Sequence, residues 1–264
     1  MKKYLVVGNP IKHSLSPKLH NYWIKKNNID AIYEKKKLNE GNLAGLIFKV
    51  KKKEIHGINI TVPFKQTIIP YLDQLSPEAE KTQSVNTIYL NNDKIIGHNT
   101  DIEGFELSIK NFEFNITNKK VFILGAGGVV SSIILALIKM GASEIIISNR
   151  TKKKAESLKN LFNNLKVLDW GNIPEFDMII NATSLGLNTE DKINIDISNV
   201  GQNKFFFDVI YNPKETNFLK MGKKLGNLTQ NGKLMFVYQA FSAFQIWHSF
   251  KPEINDDVMK LLDK

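Results

Sequence analysis

Val121-Phe122-Ile123-Leu124-Gly125-Ala126-Gly127-Gly128, VFILGAGG, runs a short apolar strand straight into three glycines within four positions. The residues that follow, VVSSIILALIKMG at 129–141, have the pattern of a buried helix. Strand, glycine turn and helix start together make the context of a dinucleotide fingerprint. In that reading Gly125 permits the tight turn and Gly127 lets the backbone approach a pyrophosphate. The helix start offers amide donors and the positive end of its dipole. The last glycine of the GxGxxG pattern is missing, because Val130 stands there. Residues 121–138 carry no charge and reach the lower limit of a membrane span, but their Gly and Ser-Ser interruptions fit a buried strand, turn and helix, and no membrane segment is expected.

Downstream, EIIIS (144–148), FDMIINA (176–182) and FFFDVIY (205–211) are further buried-strand runs separated by helical stretches. That alternation predicts a parallel, doubly wound, Rossmann-type sheet. From Lys233 onward the pattern becomes an aromatic-rich helix, LMFVYQAFSAFQIWHSF (234–250), with no strand after it. Upstream, YLVVG (4–8), IHGINITV (55–62) and SVNTIYL (84–90) alternate with amphipathic segments over Ser16–Asn27 and Asn42–Val50, which implies α/β layers. Asn91 to Lys94 predicts a hairpin turn that returns VNTIYL against KIIGHNT. The domain change is placed near residue 102, giving an α/β domain over 1–101, a doubly wound domain over 102–233 and a C-terminal helical segment, 234–264, that returns to the first.

The composition narrows the chemistry. With 264 residues and 42% hydrophobic content the chain can build two cores. Without cysteine it has no disulfide, thiolate nucleophile or cysteine-ligated metal, which suits a cytoplasmic protein. His13, His20, His56, His98 and His248 show no metal-ligand spacing, so no metal is expected. The apolar run in MKKYLVVGNP is too short for a signal peptide. A formal charge of +10 raises nucleic-acid binding, but the lysines are dispersed, with clusters at 35–37, 51–53 and 152–154 and no arginine–aromatic interleaving. A solvated lysine surface follows, with no specific nucleic-acid partner.

The strand EIIIS ends close to the sole arginine of the chain, in Asn149-Arg150-Thr151 followed by Lys152, Lys153 and Lys154. At this strand end NAD-binding units usually place an acid for the ribose hydroxyl, whereas a cation receives the 2′-phosphate of NADP. No acid is present, and a guanidinium can grip phosphate oxygens in pairs and stack on adenine, which lysine cannot do. NADP is therefore favoured over NAD. Asn149 or Thr151 would serve equally as a helix N-cap.

In the first half, Asn59, Thr61 and Lys65 lie in GINITVPFK, and Asp101 closes GHNTD at the proposed domain junction. Lys65 follows the apolar Phe64 and is expected to project into a cleft. Hydride transfer to a ketone creates an alkoxide that needs a proton, which a lysine oriented by an aspartate can supply. Spacing alone leaves open two unrelated surface charges.

Nine ordered blocks resolve that choice. GNPIKHSLSPKLHN (8–21), GINITVPFK (57–65), SVNT (84–87), GHNTDIEGF (97–105), GAGG (125–128), NRT (149–151), NATSLG (181–186), DVIYNP (208–213) and GKLMFVYQA (232–240) together resemble the shikimate dehydrogenase family, which includes shikimate/quinate dehydrogenases. The resemblance runs nearly end to end. It implies an N-terminal substrate domain completed by the C-terminal helix, an NADP domain between, and reversible reduction of 3-dehydroshikimate to shikimate on the route to chorismate and the aromatic amino acids. By resemblance, Ser14, Ser16 and Tyr211 would bind the substrate carboxylate. Asn59, Thr61, Asn86, Asp101 and Gln239 would hold the ring hydroxyls or ketone, and Lys65 and Asp101 would form the catalytic pair. Gly125, Ala126, Gly127 and Gly128 would take the pyrophosphate, and Asn149, Arg150, Thr151 and Lys154 the 2′-phosphate. Thr183, Ser184 and the stretch from Gly232 to Met235 would border the ribose and nicotinamide.

A polyhydroxylated ring acid needs many neutral hydrogen-bonding groups, and SLSP, NIT and VNT supply them. Ser16 before Pro17 also suits an N-cap with proline at the first helical position. His13 and His98 read as neighbours of the motifs. Two departures stand out: Val129, Val130 and Ser131 follow the glycine loop where small or basic residues are common, and Phe241 stands where a small residue commonly follows Gln239-Ala240. A quinate-accepting enzyme that also uses NAD, a non-catalytic NADP-sensing protein and a homodimer all remain compatible with the sequence.

Overall fold

The computed structural model describes residues 1–188, 190, 191 and 193–263. Lys264, the last residue of the expected C-terminal segment, lies outside the described residues. The chain begins with β1 (Lys2–Gly8), α1 (Ser16–Lys26), β2 (Ala31–Lys37), α2 (Leu43–Lys51) and β3 (Gly57–Ile60). Then come β4 (Gln74–Leu75), α3 (Pro77–Thr82), β5 (Thr87–Asn91), β6 (Lys94–His98) and α4 (Asp101–Asn111). A second series follows: β7 (Lys120–Leu124), α5 (Val130–Lys139), β8 (Glu144–Ser148), α6 (Lys152–Ser157), β9 (Lys166–Leu168) and β10 (Met178–Asn181). It continues with β11 (Phe205–Asp208), α7 (Asn217–Lys224), β12 (Leu228–Asn231), α8 (Lys233–His248) and α9 (Asp256–Leu261). Two compact units result, Met1–Gly104 with Val237–Lys264, and Phe105–Phe236, so that the division falls inside α4 and α8.

In the second unit six strands lie parallel in the order β12-β11-β10-β7-β8-β9. Counted from β7 this is 3-2-1-4-5-6 read from the other edge, the order of dinucleotide-binding folds. Strands covered on both faces carry unbroken apolar runs, and β10 and β11 are buried at every position. Phe122, Ile146, Ile179, Phe206 and Phe218 meet in one core cluster. Helix α7 seats closely on β11: a Cβ on Gly222 would come within 2.6 Å of the Phe206 ring. Register brings Leu124 beside Ser148 and Asn181, and Asp208 beside Asn181 and Asn231. The loops after these strands therefore all leave at the carboxyl end of the sheet, and the direction of winding reverses between β7 and β10.

The first unit has a mixed sheet, β2-β1-β3-β5-β6-β4, in which β3, β5 and β6 run antiparallel. Asn92 and Asp93 both take left-handed backbone, φ 47° and 58°, as a two-residue hairpin between β5 and β6 requires. Leu5, Val7, Leu46, Ile58 and Ile88 form part of one core cluster with α2. Aromatic rings fill a second: Tyr4 and Trp247 lie 5.0 Å apart, Trp23 and Phe244 5.5 Å, and His20 stacks on Tyr33 at 4.2 Å.

Several local expectations change. Helix α8 ends at His248, two residues early, because Ser249 turns left-handed at φ 53° and its amide bonds Gln245. Strand β3 stops at Ile60, since the chain turns at Thr61, whose carbonyl accepts from the Phe64 amide. Leu15, not Ser16, is the N-cap of α1, and Ser16 is its first residue. The Ser16 hydroxyl is engaged with Ser14 and Tyr33 instead of capping the helix. Thr151 stands at the N-cap of α6 but makes no side-chain cap bond. The long apolar stretch 121–138 divides into β7, a turn and α5, and among the described residues no helix is long and apolar enough to cross a membrane.

Candidate functional site

The reversal point of the parallel sheet carries the glycine loop. Gly125 sits at φ +109°, and a Cβ there would come within 2.7 Å of the Ala182 carbonyl oxygen. Only glycine fits both the angle and the approach of the β10 loop. The turn leads into α5, whose N-terminus has no side-chain cap, so its first amides lack that source of acceptors. Gly127 and Gly128 are exposed at this mouth, as are Arg150, Thr151 and Lys154 just past β8. Lys152 pairs with Asp169 at 2.8 Å, which leaves the outward cations of this corner to Arg150, Lys153 and Lys154. The residues fit a dinucleotide phosphate: a turn with Gly127 and Gly128 exposed, an uncapped helix start and a lone guanidinium just past the carboxyl end of β8.

Two buried carboxamide and carboxylate groups shape the neighbouring loops. Asn181 accepts from the Thr183 amide and hydroxyl and donates to Leu185 O and Asp208 Oδ1. Asp208, wholly buried, also accepts from Ile210 N at 3.0 Å and from the Thr216 hydroxyl at 2.6 Å. Burial pushes its carboxyl up to about 6 against those three donors. Thr183 and Ser184 on one loop and Tyr211 on the next are thereby held from beneath. Tyr211 stacks on Phe236 at 4.7 Å. Gly232 is required where it stands, since a Cβ would overlap the Val209 carbonyl, and Met235 is buried.

In the other unit Lys65 Nζ donates to Asp101 Oδ2 in a short ion pair whose side chains are 12% and 8% exposed. Lys65 rides on the turn after Thr61, anchored by the bond from Val85 N to its own carbonyl and by buried Phe64. Asp101 opens α4, and its amide bonds Asn99 Oδ1. Asn86 Nδ2 grips Asp101 Oδ1 at 2.8 Å, so both carboxylate oxygens are held. Desolvating an ion pair is costly unless each atom is satisfied in this way. Asn59, Thr87 and Thr100 complete a buried polar network around Asn86. Ser14 and Ser16 approach at 3.3 Å between hydroxyls, and Ser14 and Thr61 are half-buried.

Residues 6–88 match the family described as the shikimate dehydrogenase substrate binding domain, and residues 106–217 match the shikimate / quinate 5-dehydrogenase family. A shikimate dehydrogenase (NADP(+)) of Pelagibacter ubique is 60% identical over 262 residues, covering 99% of both chains. The chain belongs to the shikimate dehydrogenase family. A Thermus thermophilus shikimate 5-dehydrogenase, solved in complex with NADP(H) and shikimate, superposes with a TM-score of 0.88 at 29% identity over 96% of this chain and 95% of that one. A ligand-free 5-ketofructose reductase of Gluconobacter superposes with a TM-score of 0.90 at 29% identity over 99% and 98%.

Within this shikimate dehydrogenase fold the sequence-picked residues fall into separate groups. Lys65, Asp101, Asn86 and Asn59 are joined by hydrogen bonds, directly or through Thr87, and Ser14 and Ser16 by their own contact. Gln239 lies on α8, half-buried. The glycine loop, Asn149 to Lys154, Thr183 and Ser184 share the carboxyl end of the sheet in the second unit. Both amide hydrogens of Asn59 are spent on Asn86 O and Thr87 Oγ1, and both of Asn86 on Asp101 and Thr100. Neither asparagine has a donor left for a substrate hydroxyl, a detail that local sequence does not reveal. Thr87, Thr100, Asn181 and Asp208 lie inside the quoted blocks SVNT, GHNTDIEGF, NATSLG and DVIYNP without being singled out. Tyr33 lies in no block at all.

Proposed function

We propose that this chain is an NADP-dependent shikimate dehydrogenase that reversibly reduces 3-dehydroshikimate to shikimate, a step on the way to chorismate and the aromatic amino acids. The observation that carries this reading is the buried Lys65–Asp101 pair, both of whose carboxylate oxygens are fixed, in a member of the shikimate dehydrogenase family. Bound at the glycine loop, NADPH supplies the hydride.

Ser14, Ser16 and Tyr211 bind the ring carboxylate, and Thr61, Asp101 and Gln239 hold hydroxyls or the ketone. Asn59 and Asn86 serve the ring by fixing Asp101, since their amide groups are engaged with Tyr33, Thr87, Thr100 and Asp101. As hydride reaches the carbonyl carbon, Lys65 gives a proton to the oxygen that would otherwise become an alkoxide, and Asp101 keeps the ammonium aimed at it. In the reverse direction Lys65 takes that proton back. Gly125 to Gly128 receive the pyrophosphate. Asn149, Arg150, Thr151 and Lys154 receive the 2′-phosphate, while Thr183, Ser184, Gly232 and Met235 flank the ribose and nicotinamide. The substrate domain is 1–101 completed by 234–264, and the NADP domain is 102–233. The contact division at Gly104 and at Val237 supports this allocation. The enzyme acts in the cytoplasm on small molecules. Each chain carries all the proposed ligands, so the chemistry calls for no second copy even where a homodimer forms.

The test is oxidation of shikimate and of quinate, each with NADP+ and with NAD+. Rapid turnover of shikimate with NADP+ alone is expected. Faster oxidation of quinate, or equal use of NAD+, would assign a different substrate or cofactor, and no turnover with any pair would leave a binding protein.

A further inference from the structure

We propose that Tyr33 is a positioning residue for the reaction proposed above: its buried hydroxyl couples the Ser14–Ser16 corner, which takes the carboxylate, to the Lys65–Asp101 pair, which moves the proton. The inference rests on that functional reading and adds a residue to it. Tyr33 lies on β2 with 1% of its surface exposed, too buried to touch a ligand itself. Its ring lies flat against His20, 4.2 Å away and 3° from parallel, so the phenol can reach only a narrow arc.

The direction of each hydrogen bond in the chain follows from groups that can act in only one way. Asn59 Nδ2 faces the Asn86 carbonyl at 3.1 Å, and a carbonyl only accepts, so Asn59 Oδ1 must be the atom turned toward Tyr33. The phenol therefore donates, at 2.6 Å, and its oxygen is left to accept from the Ser16 hydroxyl. Asn86 is pinned likewise: the Thr100 amide can only donate, at 2.8 Å, to Asn86 Oδ1, so Asn86 Nδ2 faces Asp101. Thr87 accepts from Asn59 Nδ2 at 3.1 Å and donates to Asn86 Oδ1 at 3.0 Å. The result is a chain of donors, Ser14 to Ser16 to Tyr33 to Asn59 to Thr87 to Asn86 to Asp101, with Lys65 on the far oxygen, a second bond from Asn59 to the Asn86 carbonyl, and Thr100 branching from Asn86. Burial holds the Tyr33 phenol well above the ordinary tyrosine range, so it stays a donor throughout the working pH. Buried polar chains of this kind polarise one another and fix each member's orientation. A carboxylate that accepts the Ser14 and Ser16 protons takes the Ser16 donor away from Tyr33, so its arrival is passed along the same chain that holds Asp101.

The test compares Tyr33→Phe, which keeps the ring on His20 and loses only the hydroxyl, with Thr87→Val and the double variant. Tyr33→Phe is expected to lower kcat about tenfold and to weaken shikimate binding by calorimetry, with NADPH affinity unchanged. A limb of its kcat–pH profile should move by about half a pH unit, which loss of packing alone would not cause. Because either substitution cuts the same chain, the double variant should have kcat within about twofold of the worse single variant. An active wild type with Tyr33→Phe unchanged in kcat, shikimate affinity and pH profile would overturn the inference, as would losses that multiply in the double variant. Should Tyr33→Phe fail to give a cooperative thermal melt, Thr87→Val decides alone by kcat and pH profile. A wild type inactive with 3-dehydroshikimate and NADPH would overturn the functional reading, and this inference with it.

Discussion

Arg150 is the single guanidinium in a chain that writes every other fixed positive charge as lysine. It is exposed just beyond β8, where the neighbouring Lys152 is already paired with Asp169. A point charge at this position would still attract a phosphate, but it could not offer two parallel donors or a flat face to adenine. Arg150→Lys is therefore expected to weaken NADPH about tenfold while leaving NADH as it was, as fluorescence titration of each cofactor would report. Equal loss for both cofactors would mean that Arg150 supports the loop and not the 2′-phosphate. This position is legible in sequence because everything it needs is local: a strand end, no acid, and a run of cations. Asn59 and Asn86 are the opposite case. Both stand out as polar residues in apolar surroundings, yet what their amides do depends on Tyr33, Thr87 and Asp101, brought to them by strand pairing across up to 28 positions. Polar residue types can be read one at a time, but the direction of a hydrogen bond cannot.

Strand β3 and helix α8 meet at one of the tightest contacts in the first unit. A Cβ on Gly57 would overlap the Trp247 indole, which cannot retreat freely because its Nε1 donates to Ile88 O at 3.1 Å and its face packs on Tyr4 at 5.0 Å. Gly57→Ala should destabilise the protein by about 1–3 kcal/mol through overpacking, read as an earlier midpoint in urea. An unchanged midpoint would mean that α8 packs there loosely. The same region shows where periodicity fails. Strand β2, AIYEKKK, pairs in parallel with β1 along its whole length, but three consecutive lysines at its exposed end give it no strand alternation to read. Edge strands commonly carry lysine to block further pairing, which is what hides them from a hydrophobic pattern. Strand β12, LTQN, at the edge of the other sheet, carries no lysine but is polar at its last three positions and so shows no apolar run either. By contrast β7, β8, β10 and β11 are central, covered on both faces and almost wholly apolar, and these are the strands the pattern finds.

Taken together, the ionisable groups make the fold sensitive to acid. Burial pushes His20 down to about 3, with His248 adding to the effect, and pushes His248 down to about 4, with Lys2 adding. Neither ring nitrogen of His20 has a hydrogen-bond partner among the described residues. An unfolded histidine binds its proton near pH 6.5, so the unfolded chain takes up protons that the folded one refuses. The stability these sites contribute is complete above about pH 6.5 and is lost below it, at up to about 1.4 kcal/mol per pH unit for each fully buried site. Asp208 acts in the opposite sense: raised to about 6, it favours the folded state as pH falls from about 6 toward 3.8, and so offsets part of the loss. The melting temperature should drop between pH 7 and 4.5, and His20→Phe, which keeps a ring against Tyr33, should flatten that drop. An identical pH slope in the variant would remove His20 as a cause.

At this level the overall architecture and the reaction class were legible, since a glycine turn between apolar strand and helix, a lone arginine and nine ordered blocks of family resemblance leave few alternatives, whereas the spacing of Lys65 and Asp101 alone does not. The polar chain that joins Ser14 to Asp101 was not legible, because it is assembled by sheet register. The measurement that bears most directly on the proposed chemistry is the loss of NADPH absorbance with 3-dehydroshikimate, run on the wild type and on Lys65→Ala after cofactor binding is verified for each. Rapid loss in the wild type and a fall of at least about 100-fold in the variant, with NADPH still bound, is the expected result. Full turnover in Lys65→Ala would contradict the role given to the buried pair, and no turnover in folded wild type would contradict the reaction itself.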